Sequence, residues 1–135
     1  SKCLESRSKE QRKEACWIIG NMAAEKNLID AIFQSDFITN AFYILQSDDP
    51  SIRWEAAFIF DNLLRNCTTS QLEQLIKKGL IQVTLKNLES HLPVKLLDVS
   101  LDVLRKILER GDLMTNLSTN LTATQVNPYA AKIFS

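Results

Sequence analysis

The sequence predicts an all-α fold in which helices stack into a right-handed superhelix, and two observations indicate this class. Three glycines and three prolines in 135 residues are few for a chain that turns often, so long helices are expected. A segment centred on Trp17 returns around Phe58, 41 residues later, and a weaker copy around Asp102 follows after a further 44. Offsets of about 40–47 residues are typical of helical repeat arrays.

Start and stop signals place the helices in the first half of the chain. Apolar periodicity predicts one long helix and then two shorter ones before the long helix returns. Pro50 stands where the first turn of the second long helix begins, because proline is well tolerated at that position. The predicted helices span residues 9–25, 27–35, 37–47 and 50–66.

The same cycle restarts after the second long helix. Ser70 and Glu73 have the spacing of a capping box that opens a helix, and Gly79 is expected to end that helix in a left-handed turn. The remaining predicted helices are one over 80–90 and, after the break at Pro93, a long one that runs to about Glu109 and closes at Gly111.

Three helices per repeat of about 40 residues are typical of armadillo arrays, whereas HEAT repeats have two. A solenoid unit buries its apolar face only against its neighbours, so the chain is expected to be a piece of about three repeats from a longer protein. The predicted units are a partial repeat over 1–25, a repeat over 27–66, a repeat over 69–111, a Thr/Asn-rich loop over 112–126, and the start of a further repeat over 127–135, capped by Asn127 and Pro128.

Composition narrows the classes of function. Basic and acidic residues both number 16, so no basic field attracts nucleic acid. No apolar run approaches the roughly 20 residues that span a bilayer, so no membrane partner is expected. The three cysteines, Cys3, Cys16 and Cys67, form no CxxC pair and are expected to be free thiols without a metal. His91 is the only histidine and no nucleotide-binding or nucleophile motif occurs, so we expect neither a cofactor nor an enzyme.

Each long helix has an apolar stripe and, in the first two copies, a polar face that carries an aromatic ring. These polar faces hold Glu14, Trp17 and Asn21 in the first copy and Glu55, Phe58 and Asn62 in the second. The residues expected in the core are Ala15, Ile18, Ile19, Met22, Ala56, Ile59, Phe60, Leu63, Leu97, Leu101, Leu104 and Leu108. The two rings either form an exposed binding surface or pack against the adjacent short helices.

An aromatic ring and an asparagine four residues apart lie together on one helix face. The asparagine amide offers a donor and an acceptor to a peptide backbone of any sequence. Rings flank the stems of lysine and arginine, and Glu14 and Glu55 are placed to meet the cationic heads. Adjacent helices lie about 8–10 Å apart and an extended peptide rises about 3.3 Å per residue, so one helix step spans about three peptide residues. The pattern predicts a groove for extended basic peptides.

Residues 12–21, RKEACWIIGN, resemble the third-helix motif of the importin-α (karyopherin-α) family, and residues 54–62, WEAAFIFDN, resemble the next repeat. The resemblance continues through residues 74–81, 99–104 and 127–130 and covers nearly the whole chain. It implies the C-terminal armadillo repeats of a nuclear import adaptor that shuttles between cytoplasm and nucleus, with importin-β and an export receptor as partners of the full-length protein. The residues implied for the minor site, which binds basic nuclear localisation signals, are Glu14, Trp17, Asn21, Glu55, Phe58 and Asn62, with Trp54 beside them.

Three features depart from the family's pattern. Phe58 stands where the family usually has tryptophan, which gives a weaker cation–π surface. Trp54, one turn earlier, either replaces the missing surface or obstructs it. Arg65 lies on the same stripe and repels a basic peptide unless Asp61 neutralises it. An armadillo scaffold for protein interactions outside nuclear transport is the alternative function, and failure to bind any basic peptide would favour it.

Overall fold

The computed structural model describes residues 5–89, 91–118 and 127–134, and the described residues form helices without any strand. The predicted all-α class is thereby confirmed. The helices are α1 (Lys9–Ala23), α2 (Ile29–Gln34), α3 (Phe37–Ser47), α4 (Pro50–Asn66), α5 (Thr69–Lys77), α6 (Leu80–Lys86), α7 (Val94–Ser118) and α8 (Ala130–Phe134), with a 3-10 turn at Lys26–Leu28 before α2.

The three long helices, α1, α4 and α7, form one layer with α4 in the middle. Two short helices follow α1 and two follow α4, so the order long, short, short occurs twice before α7. Helix α3 packs on α4, and α6 packs on α7. Helix α8 contacts α6 and α7 and buries Ile133.

Buried residues of the three long helices recur at the same offsets as the sequence motif. Ile19 of α1, Phe60 of α4 and Leu104 of α7 are separated by 41 and 44 residues, and all three are buried. The same spacing relates a second buried set, Ala15, Ala56 and Ser100. The three long helices therefore present equivalent residues to the core.

Two arginines tie α4 to its neighbours at opposite ends. Arg12 of α1 donates from Nε and Nη2 to the carboxylate of Asp48, at 2.7 and 2.9 Å, just before α4 begins. This hydrogen-bonded guanidinium holds the pKa of Asp48 below its usual range. Arg110 of α7 donates to the carbonyl oxygens of Leu64 and Cys67, at 3.0 and 2.8 Å, where the end of α4 lacks intrahelical partners.

Several predicted boundaries agree with the structure. Helix α4 spans the predicted residues, with Pro50 in its first turn. Gly79 adopts φ 103° between α5 and α6, which is the left-handed conformation expected there. The helix predicted over 27–35 is divided into the 3-10 turn and α2, and the helix predicted over 80–90 ends at Lys86.

The capping box that opens α5 was predicted two residues too late, at Ser70 and Glu73. Thr68 is the capping residue, and its Oγ1 accepts a hydrogen bond from the Gln71 backbone N–H at 3.1 Å. The Gln71 side chain in turn accepts one from the Thr68 backbone N–H at 2.9 Å. Glutamine fills the position that we assigned to glutamate, because both side chains can accept this bond.

Gly111 does not end the third long helix, because α7 continues to Ser118. The loop predicted over 112–126 is therefore wrong for residues 112–118, while residues 119–126 lie outside the described residues. Gly111 is buried, and a Cβ at this position would collide with the side chain of Asn127. The glycine thus allows a neighbouring segment to approach the helix closely.

The predicted core is correct except on the outer helices. Seven of the twelve residues are buried, and Met22, Leu97 and Leu108 are half-buried. Ile18 of α1 and Leu101 of α7 are 47% and 55% exposed, so their predicted burial is wrong. In the described stack, α1 and α7 each pack against a long helix on one side only, whereas α4 is covered on both sides.

Cys16 and Cys67 are buried free thiols, and Cys3 lies outside the described residues. Burial raises the pKa of Cys16 to about 12, with a further contribution from the negative charges of Glu55 and Asp48. No helix within the described ranges is long and apolar enough to cross a membrane. Nor do the side chains described there include a group of three or more that could hold a metal ion.

Candidate functional site

The candidate site lies on one face of the α1, α4 and α7 layer, which we call the long-helix face. Its first half is the α1–α4 surface, where Trp17 projects with 58% of its area exposed. Glu14 and Asn21 are also exposed, one turn before and one turn after the ring. The three α1 residues predicted for the site therefore share an accessible face, as expected.

The α4 residues of the site are not presented in the predicted way. Glu55 and Asn62 are only 7% and 3% exposed, Phe58 is 36% exposed and Trp54 is half-buried. The prediction that Glu55, Phe58 and Asn62 share an open polar face is wrong for the first and last of them. Helix α4 is packed between α1 and α7, so only a narrow stripe of it reaches solvent.

Asn62 joins α4 to α1. Its Nδ2 donates to the backbone carbonyl oxygen of Gly20 at 2.8 Å. A Cβ at Gly20 would lie 3.5 Å from Phe58 Cδ1 and 3.8 Å from Ile59 Cγ1, so both side chains pack against this part of α1. The helical periodicity of α4 could not show this contact, because it does not report how close the neighbouring backbone comes.

An ion pair occupies the equivalent place between α4 and α7. Lys106 lies 44 residues after Asn62, and Asp61 lies 41 residues after Gly20. Lys106 Nζ contacts Asp61 Oδ1 at 2.5 Å, and Asp61 is 3% exposed. The sequence left open whether Asp61 neutralises Arg65; Asp61 pairs with Lys106, and the Arg65 side chain is exposed.

Two further acids of α7, Asp102 and Glu109, also have a cationic partner. Arg105 contacts Asp102 at 3.0 Å and Glu109 at 2.7 Å. The hydrogen bond from Arg105 is the main reason that the pKa of Asp102 lies below its usual value, and the charges of Lys106 and Arg65 lower it further. In the second half of the face, between α4 and α7, cationic side chains of α7 thus neutralise most of the acidic side chains.

A shallow pocket of about 260 Å³ opens beside Trp17 in the first half. Within the described ranges, the Glu55 carboxylate has no hydrogen-bond or ion-pair partner. Burial raises the pKa of Glu55, against the opposing influence of Lys13 and Lys95. The pocket is lined by three carboxylates, one ammonium and one ring, from Glu10, Glu14, Glu55, Lys13 and Trp17.

Trp54 lies in the second half and already has a cation over its ring. The Trp54 and Phe58 ring centroids are 6.0 Å apart, with an interplanar angle of 34°. Lys95 of α7 places its Nζ 5.4 Å from the Trp54 ring centroid, within the range of a cation–π contact. Lys95 is not among the residues that the sequence pattern predicts for the site, because it lies near the start of α7, 41 residues from Trp54.

No family model matches the chain, and no curated protein is significantly similar to it. Functional inference therefore rests on the chain's own residues and their geometry.

Proposed function

We propose that the chain is part of a right-handed armadillo solenoid of the importin-α type and binds basic nuclear localisation signals as a nuclear import adaptor. The order of long and short helices and the spacing of 41 and 44 residues support the armadillo assignment. The motif around Trp17 supports the family. In the full-length protein, importin-β and an export receptor are the partners, and shuttling between cytoplasm and nucleus is the expected location.

The observation that carries the proposal is the Glu55 carboxylate, which lines the pocket beside Trp17 and has no hydrogen-bond or ion-pair partner within the described ranges. A lysine or arginine head group of a ligand that enters the pocket supplies a partner through a charge-assisted hydrogen bond. Glu10 and Glu14 add negative charge around the entrance, against the single ammonium of Lys13. The cationic head enters the pocket while its apolar stem lies along the exposed ring of Trp17.

Asn21 extends this site along α1. Its side chain is exposed one turn from Trp17, so its amide is available to a peptide backbone. Asn62 makes no equivalent contribution while it donates to the Gly20 carbonyl oxygen. The proposed ligand contacts are therefore Glu14, Trp17, Asn21 and Glu55, a smaller set than the sequence pattern suggests.

Fluorescence anisotropy tests the proposal directly. A labelled peptide with one lysine among neutral residues is titrated with the protein, and a peptide with glutamine in place of lysine is the control. Wild type is expected to bind the lysine peptide more tightly. Trp17→Ala should weaken binding by about 2 kcal/mol, which is roughly 30-fold, because the ring is an exposed anchor. Tyr43→Ala is the matched control, since Tyr43 is 72% exposed but lies on α3.

The alternative is an armadillo interaction scaffold outside nuclear transport. Two contacts within the chain favour this alternative, because they hold the long helices together. Asn62 donates to the Gly20 carbonyl oxygen, and Asp61 pairs with Lys106. Equal binding of the lysine and glutamine peptides, or binding unaffected by Trp17→Ala, would support the scaffold over the import adaptor.

A further inference from the structure

Two lysines of α7 lie against the second half of the long-helix face. Lys95 Nζ is 5.4 Å from the Trp54 ring centroid. Lys106 Nζ is 2.5 Å from Asp61 Oδ1 and 3.9 Å from the nearer carboxylate oxygen of Asp102. One lysine thus covers an aromatic ring, and the other neutralises a buried acid.

The proposed function assigns the same two kinds of contact to a ligand cation in the first half, where the pocket joins a ring to carboxylates. In the first half the ring of Trp17 has no cation over it among the described residues. In the second half, α7 supplies both cations from within the chain. The two halves therefore differ in whether a ligand cation meets an open or an occupied surface.

We infer that Lys95 is a specificity-determining residue that closes the second half of the face to a ligand cation, so that the site takes peptides with a single anchored lysine or arginine. The inference rests on the proposed function, because it concerns the ligand of that site. A second peptide cation that reaches Trp54 must displace Lys95 and also meets its positive charge. Lys95 thereby limits the number of anchored basic residues.

Lys95 is a better residue than Lys106 for testing this limit on anchored basic residues. The Lys106 side chain is 12% exposed and its partner Asp61 is buried, so the pair also holds α4 to α7. Lys95 is exposed, and within the described ranges its direct contact is with the Trp54 ring. Removing its charge is therefore expected to leave the fold intact.

The experiment compares two peptides on the intact chain by fluorescence anisotropy. One peptide has a single lysine among neutral residues, and the other has a second lysine three residues away, which matches one helix step at about 3.3 Å per residue. Wild type is expected to bind the two peptides with similar affinity. In Lys95→Gln, the affinity for the two-lysine peptide should rise about three- to tenfold more than the affinity for the one-lysine peptide, which gains only from the loss of the Lys95 charge near Glu55. Raising the salt concentration should reduce the gain.

Lys77→Gln is the matched control, because it removes the same charge from an exposed position on α5. An increase in affinity for both peptides in both variants would show a general effect of net charge and overturn the inference. An unchanged affinity of Lys95→Gln for the two-lysine peptide would also overturn it. The proposed function would still hold in that case if wild type binds the one-lysine peptide. Failure of wild type to bind either peptide would instead refute the proposed function and the inference together.

Discussion

The two halves of the long-helix face carry related sequence motifs in opposite states. In the first half, Trp17 and Asn21 are exposed, and the nearby Glu55 lines a pocket without a hydrogen-bond or ion-pair partner among the described residues. On α4, by contrast, Phe58 packs near Gly20 of α1 and Asn62 donates to the Gly20 carbonyl oxygen. The same aromatic and asparagine spacing thus presents an open surface on α1 and a closed contact on α4.

The difference has a regular origin in the repeat. Asn62 reaches back to Gly20 on the preceding long helix, and Lys106 reaches back to Asp61 in the equivalent position. In the described stack, Asn62 and Lys106 are thus each engaged by the long helix that precedes their own. Whether such a motif binds a ligand depends on what the preceding helix offers it.

The largest expected effect tests the closed half. Lys106→Met leaves the buried Asp61 carboxylate without a cation and should lower the free energy of unfolding by about 3 kcal/mol. Urea denaturation measures this change. The double variant with Asp61→Asn should recover more than half of the loss, because no unpaired charge remains.

Arg105→Met is the control for that result. Arg105 is 56% exposed on its side chain, and its pairs with Asp102 and Glu109 lie at the surface. Its replacement should lower the free energy of unfolding much less than Lys106→Met does, because solvent and salt screen exposed ion pairs. Equal effects of Arg105→Met and Lys106→Met would contradict a role of the Asp61 pair in joining α4 to α7.

Replacing Trp17 should mainly reduce peptide binding, whereas replacing Phe58 should mainly reduce stability. Trp17→Ala is expected to reduce the affinity for a one-lysine peptide by about 2 kcal/mol with little change in unfolding. Phe58→Ala should instead lower stability by about 2 kcal/mol, because its ring packs on α1, and should change affinity less. Parallel peptide titration and urea denaturation of both variants measure the contrast. Identical profiles for the two variants would mean that the halves do not differ.

Glu55→Gln should move stability and binding in opposite directions. Burial raises the pKa of Glu55 in the folded state above its value in the unfolded state. Protonation of Glu55 therefore stabilises the fold. This stabilisation is fully present below the unfolded-state pKa and is lost as pH rises through the folded-state pKa. The glutamine variant should therefore be more stable at neutral pH. It should also bind the one-lysine peptide about tenfold more weakly, since a charged hydrogen bond contributes about 1.5 kcal/mol.

Measurements across pH sharpen the Glu55 result. Wild-type affinity should fall as pH decreases through the raised pKa of Glu55, whereas the glutamine variant should lack that component. The neighbouring charged groups are the same in both proteins: Glu10, Glu14, Lys13 and Lys95. The difference between the two curves of affinity against pH therefore reports the titration of Glu55. Lower stability of Glu55→Gln at neutral pH would show that the carboxylate has a structural partner.

Local signals in the sequence predict most of the fold. Proline at Pro50 and glycine at Gly79 act through their own backbone restrictions, so the start of α4 and the turn after α5 were predictable. Gly111 was misread, because its role depends on Asn127, a residue distant in sequence that packs against it. The number and order of helices therefore follow from local patterns, whereas the role of Gly111 within α7 depends on a tertiary contact.

The candidate site was predictable only on α1. Periodicity correctly placed Trp17 on an exposed face, but it also placed Asn62 there, and it did not detect Lys95 over Trp54. A helical angle gives the direction of a side chain around its own axis. It does not give the distance to the next helix, which determines whether a polar group meets solvent, a backbone carbonyl or a cation.

The two asparagines should show the smallest effects and the most direct test of the comparison. Asn62→Ala removes the hydrogen bond to the Gly20 carbonyl oxygen and should lower stability by about 1 kcal/mol. Asn21→Ala should leave stability unchanged, because the Asn21 side chain is exposed, and should weaken peptide binding by about 1 kcal/mol, or roughly fivefold. Urea denaturation and anisotropy on both variants distinguish these roles. A loss of affinity in Asn62→Ala without a loss of stability would mean that ligand replaces the Gly20 contact, and the closed half would then be open to peptides.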